Sequence, residues 1–256
     1  MRFTVTNLSR RTAPQHDRRP GVGWLREAGT RMRTHWLAKM LGTMAAMGAF
    51  FAAYFWLLRH PLYPITIMPL TALDRIVGFR PAALPVYLSL WLYVSLAPGL
   101  LVGRREILAY VLAVVGLGVF GLGTFLVWPT AVPPSGVNWS QHPAFGFLQA
   151  ADAAGNACPS LHVAFAVLTA MWLGRSLRQM GAGRGVRSFN WLWCGGILYS
   201  TVAIRQHVAL DVLAGSALGA AIAGLLLRWV QTPTRRFDPG FGSPATSCSG
   251  PGTTHR

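Results

Sequence analysis

Long uncharged apolar runs, separated by short polar stretches, dominate this chain. Six stand out: residues 40–58, 82–102, 107–128, 157–174, 188–204 and 208–227. A helix needs about 20 apolar residues to cross a bilayer, so each run predicts a transmembrane helix. The second carries Pro85 and Pro98, and the sixth is interrupted only by Asp211. The last three are slightly short, which puts their ends near the membrane interface or in a polar cavity. No soluble domain fits between the runs, and there is no repeat of fixed period. The predicted fold class is all-α: a six-span transmembrane helical bundle over residues 39–230. Residues 1–38 read as a basic tail. Residues 231–256, rich in Gly, Ser, Pro and Thr, have the composition of a disordered one.

Composition points the same way. Of 256 residues, 52% are hydrophobic and only 12% charged, where soluble domains carry about 25% charged residues. The net charge of +16 could signal nucleic acid. Here, however, the basic residues sit in the tails and between the apolar runs, so the expected partner is the bilayer and not a nucleic acid. Cys158, Cys194 and Cys248 are scattered and form no disulfide or zinc framework. The first 38 residues are too long, too polar and too arginine-rich for a cleaved signal peptide.

Charge also predicts orientation. With the amino terminus on the cytoplasmic side, nineteen of the 23 lysines and arginines fall on that side. The positive-inside rule then makes this an integral protein of the cytoplasmic (inner) membrane with both termini cytoplasmic. Loop 129–156 faces outward, as do the starts of the fourth and sixth spans and the end of the fifth. In the sixth span, "LAGSALGAAIAG", Gly215, Gly219 and Ala223 fall four apart on one helical face. Small residues let helix backbones approach closely, so this is a packing face.

The outer ends hold the residues capable of chemistry. "NACPSLHVAFAV" puts Ser160 and His162 at the mouth of the fourth span, and "IRQHVALDVLAG" puts Arg205, His207 and Asp211 where the fifth meets the sixth. His207 and Asp211 are four apart and share a helical face. A carboxylate so placed can take one imidazole N–H and leave the other ring nitrogen free to attack, as a catalytic base or nucleophile requires. Ionisable groups at membrane depth are costly and mark function by default. Each has a bland alternative: His162 as a helix-end polar residue, Asp211 as a helix cap or a partner for Arg205. Two histidines and an aspartate could also bind zinc.

"CPSLH" followed by "RQHVALDVLAG" resembles the phosphatidic acid phosphatase type 2 superfamily, which shares its site with vanadium haloperoxidases. There a P-S-x-H segment opens one helix and an H-x-x-x-D segment opens a later one. The resemblance covers roughly residues 60–225. "DAAGNACPSLHVA" and "PLTALDRIVGFRPAALPVYLSLW" look most like the branch with inositol phosphotransferases and phosphorylceramide synthases. Two features depart from the commoner pattern. Its K-x6-R-P motif is absent, the single lysine being Lys39, and its arginine six before the second histidine is Thr201, with Arg205 two before instead. Helix amino termini at Ser160 and near His207 are therefore expected to lend N–H donors to a phosphate.

The resemblance implies an integral membrane enzyme acting on a lipid phosphate or pyrophosphate without a metal or other cofactor. His207 would attack phosphorus and form a phosphohistidine. Asp211 would hold its ring, and His162 would protonate the leaving oxygen and then activate the acceptor. Ser160, Arg205, Asn156 and Asp152 would make up the phosphate-binding set. Water as acceptor makes a lipid phosphatase. An alcohol makes a phosphotransferase moving a phospho-headgroup such as inositol phosphate. A non-catalytic membrane protein, a degenerate relative or a small transporter, is the competing class.

Overall fold

The computed structural model describes residues 23–146, 148 and 155–231, which are mostly helical. Helix α1 (Gly23–Arg33) lies inside the stretch read as a basic tail. The first long apolar helix is α2 (Trp36–Arg59). A short helix α3 (Ala72–Val77) and a 3₁₀ turn (Pro81–Ala83) lead into α4 (Leu84–Leu88) and α5 (Leu90–Leu100). The second apolar run is thus broken at Ser89. Four long helices follow: α6 (Arg104–Val127), α7 (Leu161–Gln179), α8 (Arg184–Ala203) and α9 (Ala209–Gln231).

Among the described residues, four segments are long and apolar enough to cross a membrane: Trp36–Arg59, Pro81–Leu100, Arg104–Val127 and Ala209–Gln231. Helices α7 and α8 are less apolar, and their packing explains it. Helix α7 is central, touching α5, α6, α8 and α9. Most of its side chains are buried, from Val163 and Leu168 to Trp172, and so are the polar Thr169 and Ser176. A helix enclosed by other helices meets little lipid, so its composition is not held to what lipid demands. Helix α8 buries Asn190, whose amide donates to Ala170 O at 3.0 Å and whose side-chain oxygen accepts from Tyr93 Oη at 2.8 Å. Helix α2 is the opposite case. It exposes Trp36, Leu41, Met44 and Trp56, large apolar side chains that suit lipid and not water.

The tightest packing joins α7 to α9. A Cβ added at Gly215 would run into the carbonyl of Ser160, and one at Gly219 into that of Ala164. Only glycine lets the two backbones approach this closely, and Ala223 continues the same buried face.

The bundle has two chemically different ends. At one, Arg105 lies 5.2 Å over the Trp229 ring, Arg175 pairs with Glu106 at 3.3 Å, and Lys39 Nζ donates to Arg31 O and Gly99 O. The starts of α6 and α8 and the ends of α7 and α9 all bring arginines here. At the other end, β1 (Thr66–Ile67) pairs in parallel with β2 (Thr130–Ala131), Thr66 opposite Thr130. A second small core there joins Leu84 and Tyr87 to Phe145, Ala203 and Ile204.

Candidate active site

The site is built where α7 and α9 begin. Thr130 of β2 fixes the approach to α7: its carbonyl accepts from Ala157 N at 3.2 Å and its hydroxyl from Cys158 N at 2.8 Å. Ser160 is the N-cap, its Oγ accepting from Val163 N at 3.3 Å, as serine at this position favours. Its own N–H donates to Asp211 O at 3.1 Å, so the two helix starts are bonded directly. His162 follows in the first turn of α7.

Between α8 and α9 the chain turns sharply, with Arg205 in the left-handed region at φ 64. The next four N–H groups are engaged. Gln206 N and His207 N both donate to Thr201 O at 3.1 Å. Val208 N donates to Asp211 Oδ2 at 3.0 Å, and Ala209 N donates to Asp74 Oδ1 at 2.7 Å. At this helix start, expected to offer N–H donors to a phosphate, the N–H groups of Val208 and Ala209 are thus already bonded. Two carboxylates already occupy those donors, as the positive end of a helix favours. At α7, Ser160 likewise spends its hydroxyl lone pair on capping.

The reactive groups converge on this corner. His207 Nδ1 lies 3.6 Å from Asp211 Oδ2. That is an ion-pair distance, longer than a formed hydrogen bond. His207 Nε2 lies 3.3 Å from Nδ1 of His162, and Nε2 of His162 lies 3.0 Å from Tyr87 Oη. Asp211 and His207 are buried. A cavity of about 70 Å³ opens onto Arg205 and His207, walled by Leu70, Val132, Pro133 and Ser135. Nε of Arg205 is buried with no hydrogen-bond partner among the described residues.

The structure therefore brings His162, His207, Asp211, Ser160 and Arg205 to one corner. Asn156 is placed differently: its amide donates to Tyr54 O of α2 at 3.4 Å, a scaffold contact. Asp152 lies outside the described residues. Among the described residues, no group of three or more His, Cys, Asp or Glu side chains is arranged to hold a metal ion.

Two residues of this corner were not found from the sequence. Tyr87 (α4) reaches His162, and Asp74 (α3) reaches the start of α9. Asp74 is buried, and its Oδ2 also accepts from the N–H and the hydroxyl of Thr71 at 2.7 Å each. "TALD" is a capping-box spacing, so the local cap was legible. The bond across 135 residues to Ala209 leaves no mark in local sequence.

Residues 105–235 match the PAP2 superfamily. The match spans just over half the chain, contains every residue of α7 to α9, and stops short of Tyr87 and Asp74. Comparison with curated proteins and with solved structures gave no match. The chain belongs to the PAP2 superfamily. That superfamily comprises phosphatases and related phosphotransferases, and the four apolar helices fit a membrane protein.

Proposed function

We propose that this protein is an integral membrane phosphoesterase that hydrolyses a lipid phosphate or pyrophosphate through a phosphohistidine. The observation that carries the reading is the chain of contacts Asp211–His207–His162 beside a cavity that also holds Arg205. In the first step the lone pair of His207 Nε2 attacks phosphorus and the bond from phosphorus to the leaving oxygen breaks. His162 gives that oxygen its proton. Asp211 faces the Nδ1–H of His207 and stabilises the charge that builds on the ring. In the second step water gives a proton to His162 and attacks phosphorus. The P–N bond breaks, phosphate leaves, and both rings return to their starting states.

The two histidines touch at rest, so a phosphoryl group has to part them as it enters. Arg205 is the cation placed to meet its oxygens, and Ser160 the hydroxyl beside the acid. Stabilising the equatorial oxygens supplies much of the rate in such transfers. The cavity is small and takes the phosphoryl end of a lipid, while the chains stay in the bilayer. In this reading α7 and α8 also cross the membrane, giving six spans, and the histidine end faces the periplasmic side with the arginine-rich end in the cytoplasm.

The second reading, a phosphotransferase of the inositol phosphotransferase kind, is favoured by the scarcity of cations. Among the described residues, Arg205 alone of the lysines and arginines lines the cavity, which suits a phosphodiester of lower charge. Phosphate release from a panel of lipid phosphates, pyrophosphates and phosphodiesters by purified protein in detergent separates the two readings. The hydrolase reading predicts release that vanadate inhibits and chelators spare. Activity lost on chelation and restored by zinc contradicts both readings.

A further inference from the structure

Tyr87 stands outside the superfamily match and is 2% exposed. It sits on the five-residue helix α4, packed against Leu84, Phe145, Ala203 and Ile204. Its ring lies 5.3 Å from that of His162, and its hydroxyl lies 3.0 Å from Nε2. Packing alone would be satisfied by phenylalanine. The hydroxyl instead meets the one ring nitrogen of His162 that faces away from His207, while Nδ1 faces His207 Nε2 at 3.3 Å.

We propose that Tyr87 is a positioning residue of the reaction: it anchors Nε2 of His162 and so makes Nδ1 the nitrogen that passes the proton. This rests on His162 being the acid of the proposed function. A hydroxyl suits the task because its oxygen can accept from the Nε2–H in both protonation states of the ring. When His162 is an imidazolium, its Nε2–H donates to the Tyr87 oxygen and its Nδ1–H faces the leaving group. When Nδ1 has lost its proton, that nitrogen accepts one from water and the Nε2–H···O bond is unchanged. The ring thus keeps one orientation through both steps. The two histidines are differentiated by their partners. Asp211 gives a full charge to the ring that attacks, and Tyr87 gives a neutral hydroxyl to the ring that must both give and take a proton.

The test uses purified full-length protein in detergent and two probes, p-nitrophenyl phosphate, whose leaving group departs without a proton, and dodecyl phosphate, whose alkoxide needs one. Tyr87→Phe keeps the ring and its packing and loses only the hydroxyl; elution and thermal midpoint check that it stays folded. It is expected to lose ~10- to 100-fold more of the single-turnover rate of leaving-group release on dodecyl phosphate than on p-nitrophenyl phosphate, the later hydrolysis of the phosphohistidine being common to both. His162→Ala should show the same asymmetry, larger. Equal losses on both probes, or none, in Tyr87→Phe alongside an asymmetric His162→Ala would overturn the role of Tyr87 and leave the acid in place. A symmetric His162→Ala would instead remove the acid assignment beneath it. Wild-type protein inactive on both probes would contradict the phosphoester reading itself.

Discussion

The carboxylate of Asp211 stands 3.6 Å from Nδ1 of His207 while the same oxygen, Oδ2, accepts the Val208 N–H at 3.0 Å. One oxygen therefore both caps α9 and faces the His207 ring. Asp211→Asn keeps the size and the capping oxygen but loses the charge. The expected result is a kcat lower by ~10²–10⁴-fold, by analogy with other carboxylate–histidine pairs, with the protein still folded. Wild-type kcat in this variant would show that the pair is structural.

Asp74 carries the second cap. Replacing it with alanine leaves the buried Ala209 N–H without its partner, at a cost of ~1–3 kcal/mol. Because that N–H belongs to the turn holding His207, the loss should reach the chemistry. Asp74→Ala is expected to lower both the thermal midpoint and kcat, and Asp74→Asn, which can still accept from Ala209, to recover part of each. Equal behaviour of the two variants would show that the bond to Ala209 does not matter.

What the sequence could and could not reveal follows from the range of each contact. His207 and Asp211 are one turn apart, so helical spacing paired them. Gly215 and Gly219 share a face, so the close approach to α7 was legible as a pattern of small residues. Tyr87 and Asp74 act across tens of residues, and periodicity carries no trace of such contacts. The fourth apolar run, read as 157–174, became a helix over Leu161–Gln179. Ser160 caps its start, and an enclosed helix tolerates Arg175 and Arg178 in its last turns. Helix α1 was hidden because its arginines read as tail.

The α7–α9 approach makes its own prediction. Gly219→Ala puts a methyl group against the Ala164 carbonyl, and overpacking of this kind costs ~1–3 kcal/mol. A lower thermal midpoint is expected. Gly116→Ala on α6 is the control, because a Cβ there meets nothing within 4 Å; alanine also favours the helix. If both variants melt alike, the close packing is not what holds α7 to α9.

Orientation is open to labelling. Ser140 is exposed at the histidine end, while Cys158 and Cys194 are buried. In a Cys248→Ser background, Ser140→Cys should react with a membrane-impermeant maleimide on intact cells. Reaction only after permeabilisation would move the site to the cytoplasmic side.

The central claim is that His207 carries the phosphoryl group. The direct measurement is covalent labelling by ³²P-labelled p-nitrophenyl phosphate, quenched in alkali, where a phosphoramidate survives and an acyl phosphate does not. The account predicts an alkali-stable, acid-labile label on the wild-type peptide that contains His207. It also predicts no label in folded His207→Ala, and phosphate release in that variant lower by orders of magnitude. A label that persists in His207→Ala, or phosphate release at the wild-type rate from it, would contradict the account.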